Sequence, residues 1–305
     1  MIYTVTISPC LDYKMVVDNF EIGNINRSTK QLLVPGGKGI NVSFVLKNLG
    51  VESIVLGFKA GFIGNTIENM VNDEGLKTYF VETAGESRIN VKILSKEESA
   101  INGAGPIPSE ENIKELKSIL LKANSNDIVV LSGSVPYSIH DGKLFKEIIE
   151  DLNSRNVKVI LDTSGKTLIE GIKSKPFLIK PNIDELEELF GNKINNEEEL
   201  IKTLYKLNDK GIKNTIVSIG EKGALLCTEN KELIFVEAPK GKAISTVGAG
   251  DSLVAGFLSY YVNNKSLKES LEYGVCAGSA TVFSHHLATK EEIDKLFLSL
   301  KRWII

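Results

Sequence analysis

The chain has 305 residues, 42% of them apolar and 25% charged, with a formal net charge of −3. That balance belongs to a folded globular chain with a sizeable core, and it supplies no diffuse basic field for a nucleic-acid partner. No run approaches the ~20 continuous apolar residues of a membrane-spanning helix, and Cys10, Cys227 and Cys276 lack the spacing of a zinc site or a disulfide framework. With no basic segment before the first apolar run, a cytoplasmic location is expected.

Runs rich in β-branched residues at positions 2–8, 53–58, 127–132, 157–162, 177–180 and 214–218 read as strands. Helical patterns separate them, among them residues 40–49 closed by Gly50 and residues 67–74 closed by Gly75. Each glycine stands where a left-handed C-terminal residue is wanted. This alternation predicts an α/β fold on a mostly parallel sheet. The rhythm breaks near residues 13–34 and 88–102, where short strand-like stretches follow one another without a helix. They read as a small antiparallel sheet, either a lid over a site or an extra edge sheet. No repeat or linker interrupts the chain, so one domain over residues 1–305 is expected.

The strongest motif is Ser245-Thr246-Val247-Gly248-Ala249-Gly250-Asp251-Ser252, which runs into a helical pattern. Small residues at a helix start leave backbone N–H groups open to an anion, and the helix dipole adds a favourable field. A carboxylate there, Asp251, stands beside bound phosphates and can accept a proton from an attacking hydroxyl; the bland alternative is a glycine-rich turn with a capping aspartate. A second glycine-rich loop, Pro35-Gly36-Gly37-Lys38-Gly39-Ile40-Asn41, also opens a helix. It is not a Walker A loop, because Gly39 follows the lysine where Ser or Thr would reach magnesium. Lys38 and Asn41 offer a cation and an amide to a phosphorylated polyol. The first strand is not followed by Gly-x-Gly-x-x-Gly, which disfavours a dinucleotide enzyme.

Further candidates stand at predicted strand ends, where open α/β sheets place ligands. Asp12 could bond sugar hydroxyls or be a solvated turn residue. Asn182 and Glu185, three apart after Lys180 and Pro181, could organise magnesium through water or simply cap a helix. The run Ser218-Ile219-Gly220-Glu221-Lys222-Gly223 could wrap nucleotide phosphates or only turn between strands.

Taken together, these motifs resemble the ribokinase-like carbohydrate kinases, the PfkB family, across essentially the whole chain. The amino-terminal signature resembles Gly36 to Val42, the carboxy-terminal one Thr246 to Ser252, and between them stand an Asn-x-x-Glu motif at Asn182–Glu185 and a nucleotide loop at Ser218–Gly223. The resemblance implies a three-layer Rossmann-like core with a β-sheet lid, ATP near the carboxy-terminal signature and sugar between core and lid. It implies Asp251 as the base, with the N–H groups of Ala249 and Gly250 stabilising the transferring phosphoryl and Gly248 completing the catalytic set. Lys180, Ser218, Gly220 and Gly223 would serve the nucleotide, Asn182 and Glu185 the Mg2+, and Asp12, Gly37, Lys38 and Asn41 the sugar. The runs Arg88 to Ile93, Ile101 to Pro106 and Ser132 to Pro136 are similar to those of the branch whose acceptor is itself a sugar phosphate, which implies a second anion site at Arg88, Lys38 and Ser132. Lid sheets of this family pair between subunits, so a homodimer is expected. The chain departs from the pattern at Ser8, where that branch has asparagine, and at Ser245, where asparagine or aspartate is common. Within that branch the resemblance implies a ketohexose phosphate as acceptor, fructose 1-phosphate before tagatose 6-phosphate; a sugar-phosphate binder without catalysis is the remote alternative.

Overall fold

A computed structural model describes residues 1–136 and 138–301. Its larger sheet is built from β1 (Ile2–Thr6), β4 (Ser53–Lys59), β5 (Lys77–Glu82), β8 (Ile128–Ser132), β9 (Lys158–Asp162), β10 (Leu178–Ile179), β11 (Asn214–Ser218), β12 (Ala224–Cys227) and β13 (Leu233–Val236). Their order is β13-β12-β11-β10-β9-β8-β1-β4-β5. The seven strands from β11 to β5 run parallel, and β12 and β13 close one edge antiparallel. The sequence pattern located six of these strands; β5 and the β12–β13 hairpin were not among them.

Period-two alternation sends successive side chains of the central strands into different layers. Val129, Leu131, Val159 and Leu161 pack into a core with α3 (Glu110–Leu120), α4 (Leu144–Asn153), α5 (Gly165–Gly171), α6 (Ile183–Phe190) and α7 (Glu197–Asp209). Ile128, Val130 and Ile160 pack the other way, against α1 (Lys38–Asn48), α8 (Ala249–Tyr261), α9 (Leu267–Val282) and α10 (Lys290–Lys301). A smaller cluster seats α2 (Gly61–Asp73) on Val55 and Phe80. Gly50 and Gly75 have φ of 76° and 78°, the left-handed endings expected of α1 and α2. α8 and α9 pack closely because Gly256 and Gly274 face each other: a Cβ on Gly256 would lie 2.6 Å from the Ala277 methyl.

The second sheet holds β2 (Cys10–Val16), β3 (Lys30–Gly36), β6 (Arg88–Leu94) and β7 (Glu98–Asn102), in the order β3-β2-β6-β7. It is mixed, not antiparallel as expected: β2 and β6 pair in parallel. The topology explains this. β2 leaves the main sheet directly after β1, and β6 leaves after β5, a strand parallel to β1 within that sheet, so the two outgoing segments run the same way. β3 and β7 are the antiparallel partners that return.

Candidate active site

The parallel register places Thr6, Ser132 and Asp162 side by side at the carboxyl edge of the sheet, with Lys180 just beyond β10 and Ser218 ending β11. Above this edge lies a cavity of about 680 Å³. Its walls include Asp12, Gly37, Lys38, Asn41, Arg88, Lys180, Asn182, Glu185, Ser218, Gly220, Gly223 and Gly248 to Asp251. Residues as far apart in sequence as Asp12 and Asp251 thus share one space. Ser132 does not line it: it faces an adjoining cavity of about 510 Å³ that shares Gly37, Lys38 and Arg88 with the first.

Gly248 immediately precedes α8, and its φ of 81° makes the left-handed turn that the glycine-rich motif allows. Ser252 N–H donates to Gly248 O at 2.8 Å, and Ala249 N–H to Thr246 O at 3.3 Å. The N–H groups of Gly250 and Asp251 find no acceptor among the described residues, so they remain available to an anion. The Lys180 ammonium sits where a side chain on Gly250 would begin, 3.1 Å from that Cβ position, which adds a cation to the same spot.

Asp251 is buried in the first turn of α8 rather than capping it. Asn41 Nδ2 donates to its Oδ2 at 2.7 Å. Burial, and then the charge of Asp162, push its carboxyl up to about 6 against the opposing pull of Asn41, Lys38 and Lys180. A carboxylate so poised is ionised near neutral pH yet basic enough to take a proton.

Asp162 is fully buried, and its Oδ1 receives both Lys38 Nζ at 3.3 Å and Lys180 Nζ at 3.2 Å. Burial alone would raise its pKa, but the two ammonium groups outweigh it and hold the carboxyl below the ordinary range. The same attraction holds Lys38 above the ordinary lysine value against burial. Asp162 Oδ2 has no hydrogen-bond partner among the described residues. This residue was absent from the sequence candidates, although it ends a predicted strand and the strand-end rule points to it.

Asn182 and Glu185 form a reciprocal cap on α6: Glu185 N–H donates to Asn182 Oδ1 at 2.7 Å, and Asn182 N–H to Glu185 Oε2 at 2.9 Å. The helix-start reading of this pair is therefore real, and both residues also reach the cavity wall. Among the described residues no three His, Cys, Asp or Glu side chains gather as a metal cage.

The opposite end of the cavity is closed by the second sheet, whose alternation turns Cys10, Asp12, Arg88, Asn90 and Lys92 inward. Lys92 Nζ lies 3.2 Å from Asp12 Oδ2, and Asn90 Nδ2 donates to Asp12 Oδ1 at 2.9 Å. Burial and the neighbouring Asp12 push the Cys10 thiol up to about 12, so it stays protonated. Asn90 and Lys92 belong to the run Arg88 to Ile93, but their alignment with Asp12 needs the cross-strand register. The remaining wall, Ala238, Pro239, Leu253, Val275, Val282 and Phe283, is largely apolar and suits a flat ring.

Residues 1–294 match the model of the pfkB family carbohydrate kinases. The chain belongs to this family. The kinase is 44% identical over 302 residues to 1-phosphofructokinase from Bacillus subtilis, covering 99% of each chain. It is 36% identical over 296 residues to D-tagatose-1-phosphate kinase from Bacillus licheniformis, covering 97% of each. Among solved structures, phosphofructokinase-2 from Escherichia coli in complex with substrates and products matches at a TM-score of 0.93 and 29% identity, over 99% of each chain.

Proposed function

We propose that this kinase transfers the terminal phosphoryl group of ATP to O6 of D-fructose 1-phosphate, giving fructose 1,6-bisphosphate and ADP. The observation that carries the reading is the full-length identity of 44% to a 1-phosphofructokinase, joined to a cavity with a buried carboxylate at one end and cations at the other. In this reading Asp251 takes the O6 proton as the oxygen attacks phosphorus and the bond to the ADP oxygen breaks in line. The N–H groups at Gly250 and Asp251, with Lys180, carry the charge on the transferring group. Asp12 and Asn41 hold ring hydroxyls, and Gly37 permits the close approach. Arg88, Lys38 and Ser132 receive the phosphate already on C1. Ser218, Gly220 and Gly223 wrap the nucleotide phosphates, and the second sheet acts as a lid that excludes water.

Mg2+ belongs to this reading. Glu185, Asn182 and the unpartnered Asp162 Oδ2 suit an ion held mainly by phosphate oxygens and water, whose charge would neutralise the nucleotide phosphates. Asp162 Oδ1 anchors both Lys180, on the nucleotide side, and Lys38, on the acceptor side, at this edge of the cavity. ATP as co-substrate and three buried, unpaired cysteines fit the expected cytoplasmic location.

A homodimer through the second sheet completes the proposal. Leu33, Tyr13, Val91 and Ile101 stand in register across its four strands on the face away from the cavity, with Leu33 and Ile101 44% and 64% exposed. Such an apolar row is suited to a second copy. A sedimentation profile showing only monomer would remove this part.

The substrate is tested by ADP release with fructose 1-phosphate, fructose 6-phosphate, tagatose 1-phosphate and tagatose 6-phosphate at equal concentration. Highest kcat/KM on fructose 1-phosphate is expected; a higher value on tagatose 6-phosphate would replace the substrate while leaving the kinase reading in place.

A further inference from the structure

Asn90 is buried at 6% exposure in the middle of β6, and both ends of its amide are used. Its Oδ1 accepts from Arg88 Nη1 at 3.2 Å, and its Nδ2 donates to Asp12 Oδ1 at 2.9 Å and to Cys10 Sγ at 3.1 Å. Chemistry fixes the orientation of the amide, because a guanidinium only donates and a carboxylate only accepts. Arg88 is anchored at its other edge, Nε donating to Ser8 O at 3.2 Å, and Asp12 is braced on its far oxygen by Lys92. The Asp12 carboxylate lies in the space that a side chain on Gly36 would fill: a Cβ there would meet Asp12 Oδ2 at 2.9 Å. One amide thus joins the cation proposed for the substrate phosphate to the carboxylate proposed for a ring hydroxyl.

The geometry points to Asn90 as a positioning residue that couples phosphate recognition at Arg88 to hydroxyl recognition at Asp12, so that this kinase measures the distance between the two groups on its acceptor. Arg88 and Asp12 lie on neighbouring parallel strands, and their backbones alone do not fix the ends of two long or rotatable side chains. Asn90 supplies the missing constraint, since Asp12 and Asn90 are register partners and Arg88 is two residues away on the same face. An acceptor whose phosphate and hydroxyl differ in spacing would have to break one of these bonds and leave a buried polar group unpaired. The inference rests on the reading of this end of the cavity as the sugar-phosphate site.

The test is a double-mutant cycle on kcat/KM for the acceptor, using Arg88→Ala, Asp12→Asn and the double variant, repeated in an Asn90→Leu background. With Asn90 present, the two substitutions should be non-additive by a factor of roughly 5 or more; with Asn90→Leu they should multiply independently. Asn90→Leu alone should raise KM for the ketose phosphate about tenfold or more while changing KM for ATP less than about twofold, a split that general loosening of the fold would not produce. Asn90→Asp guards against a folding failure of the leucine variant: it retains an acceptor for Arg88, loses the donor to Asp12, and should raise the acceptor KM with the same selectivity. Independent effects with Asn90 present, or equal rises in both KM values, would overturn the role of Asn90 while the sugar-phosphate reading stood. A wild-type enzyme that turned over none of the four ketose phosphates would overturn that reading and this inference with it.

Discussion

Replacing Asp251 with asparagine should make the protein more stable at neutral pH while removing most of its activity. The carboxyl is buried, and its pKa is raised from the ordinary 3.8 to about 6, a difference worth about 3 kcal/mol. A carboxyl raised in the folded state gains protons there before it does in the unfolded chain. Its contribution to stability therefore grows as pH falls from above 6 toward 3.8, and above 6 the wild type carries the full cost of the buried charge. Asparagine removes that cost at pH 7.5 and can still accept from Asn41, so Asp251→Asn should gain up to about 3 kcal/mol at pH 7.5 and converge with wild type near pH 4. Turnover should fall about 100- to 10,000-fold, the usual contribution of a general base, while ATP affinity holds because the α8 N–H groups are untouched. Wild-type kcat/KM should decline about tenfold per pH unit below about 6, and the variant's residual activity should lack that limb. Urea unfolding at both pH values and coupled ADP release would measure these effects. Near-wild-type turnover, or a loss of stability at pH 7.5, would refute the reasoning.

Arg88→Ala should raise KM for the ketose phosphate by about 1.5–3 kcal/mol, roughly 10- to 150-fold, with little change for ATP; equal effects on both would remove Arg88 from the phosphate clamp. Glu185→Gln keeps an oxygen for the α6 cap but removes the charge, so the free Mg2+ needed for half-maximal rate should rise at unchanged thermal stability, and unchanged metal dependence would leave Glu185 a cap alone. His140 lies between Glu147 and Glu110, with Nδ1 2.9 Å from Glu147 and Nε2 3.0 Å from Glu110. Partial burial alone would lower its pKa, but the two carboxylates outweigh it and raise it above 6.5. Its stabilisation is therefore complete below pH 6.5 and lost as pH rises through the raised value; His140→Gln should cost thermal stability at pH 6 and little at pH 9, whereas a pH-independent cost would contradict the ion-pair assignment.

The parts of the site legible in the sequence are those where one local segment carries both geometry and chemistry. Gly248 to Asp251 encodes a left-handed turn, a helix start and a carboxylate within four residues, and Gly36 to Asn41 does the same for a cation and an amide. Asp162 ends a predicted strand but has no motif around it: its meaning comes from Lys38 and Lys180, brought to one oxygen by the parallel order of the strands. Asn90 and Lys92 depend on the register between β2 and β6, whose strand-like patterns are the same whether the pairing is parallel or antiparallel. The same ambiguity produced the expected antiparallel sheet. β12 and β13 escaped because runs of four residues carry too little periodicity to stand out.

The most direct measurement follows phosphorus. With ATP, Mg2+ and fructose 1-phosphate, 31P NMR should show a second phosphomonoester forming on C6 as the β- and γ-resonances of ATP give way to ADP, and the Asp251→Asn protein should leave the spectrum nearly unchanged over the same interval. ADP accompanied only by inorganic phosphate, or a wild-type spectrum in which fructose 1-phosphate persists unaltered, would contradict the account.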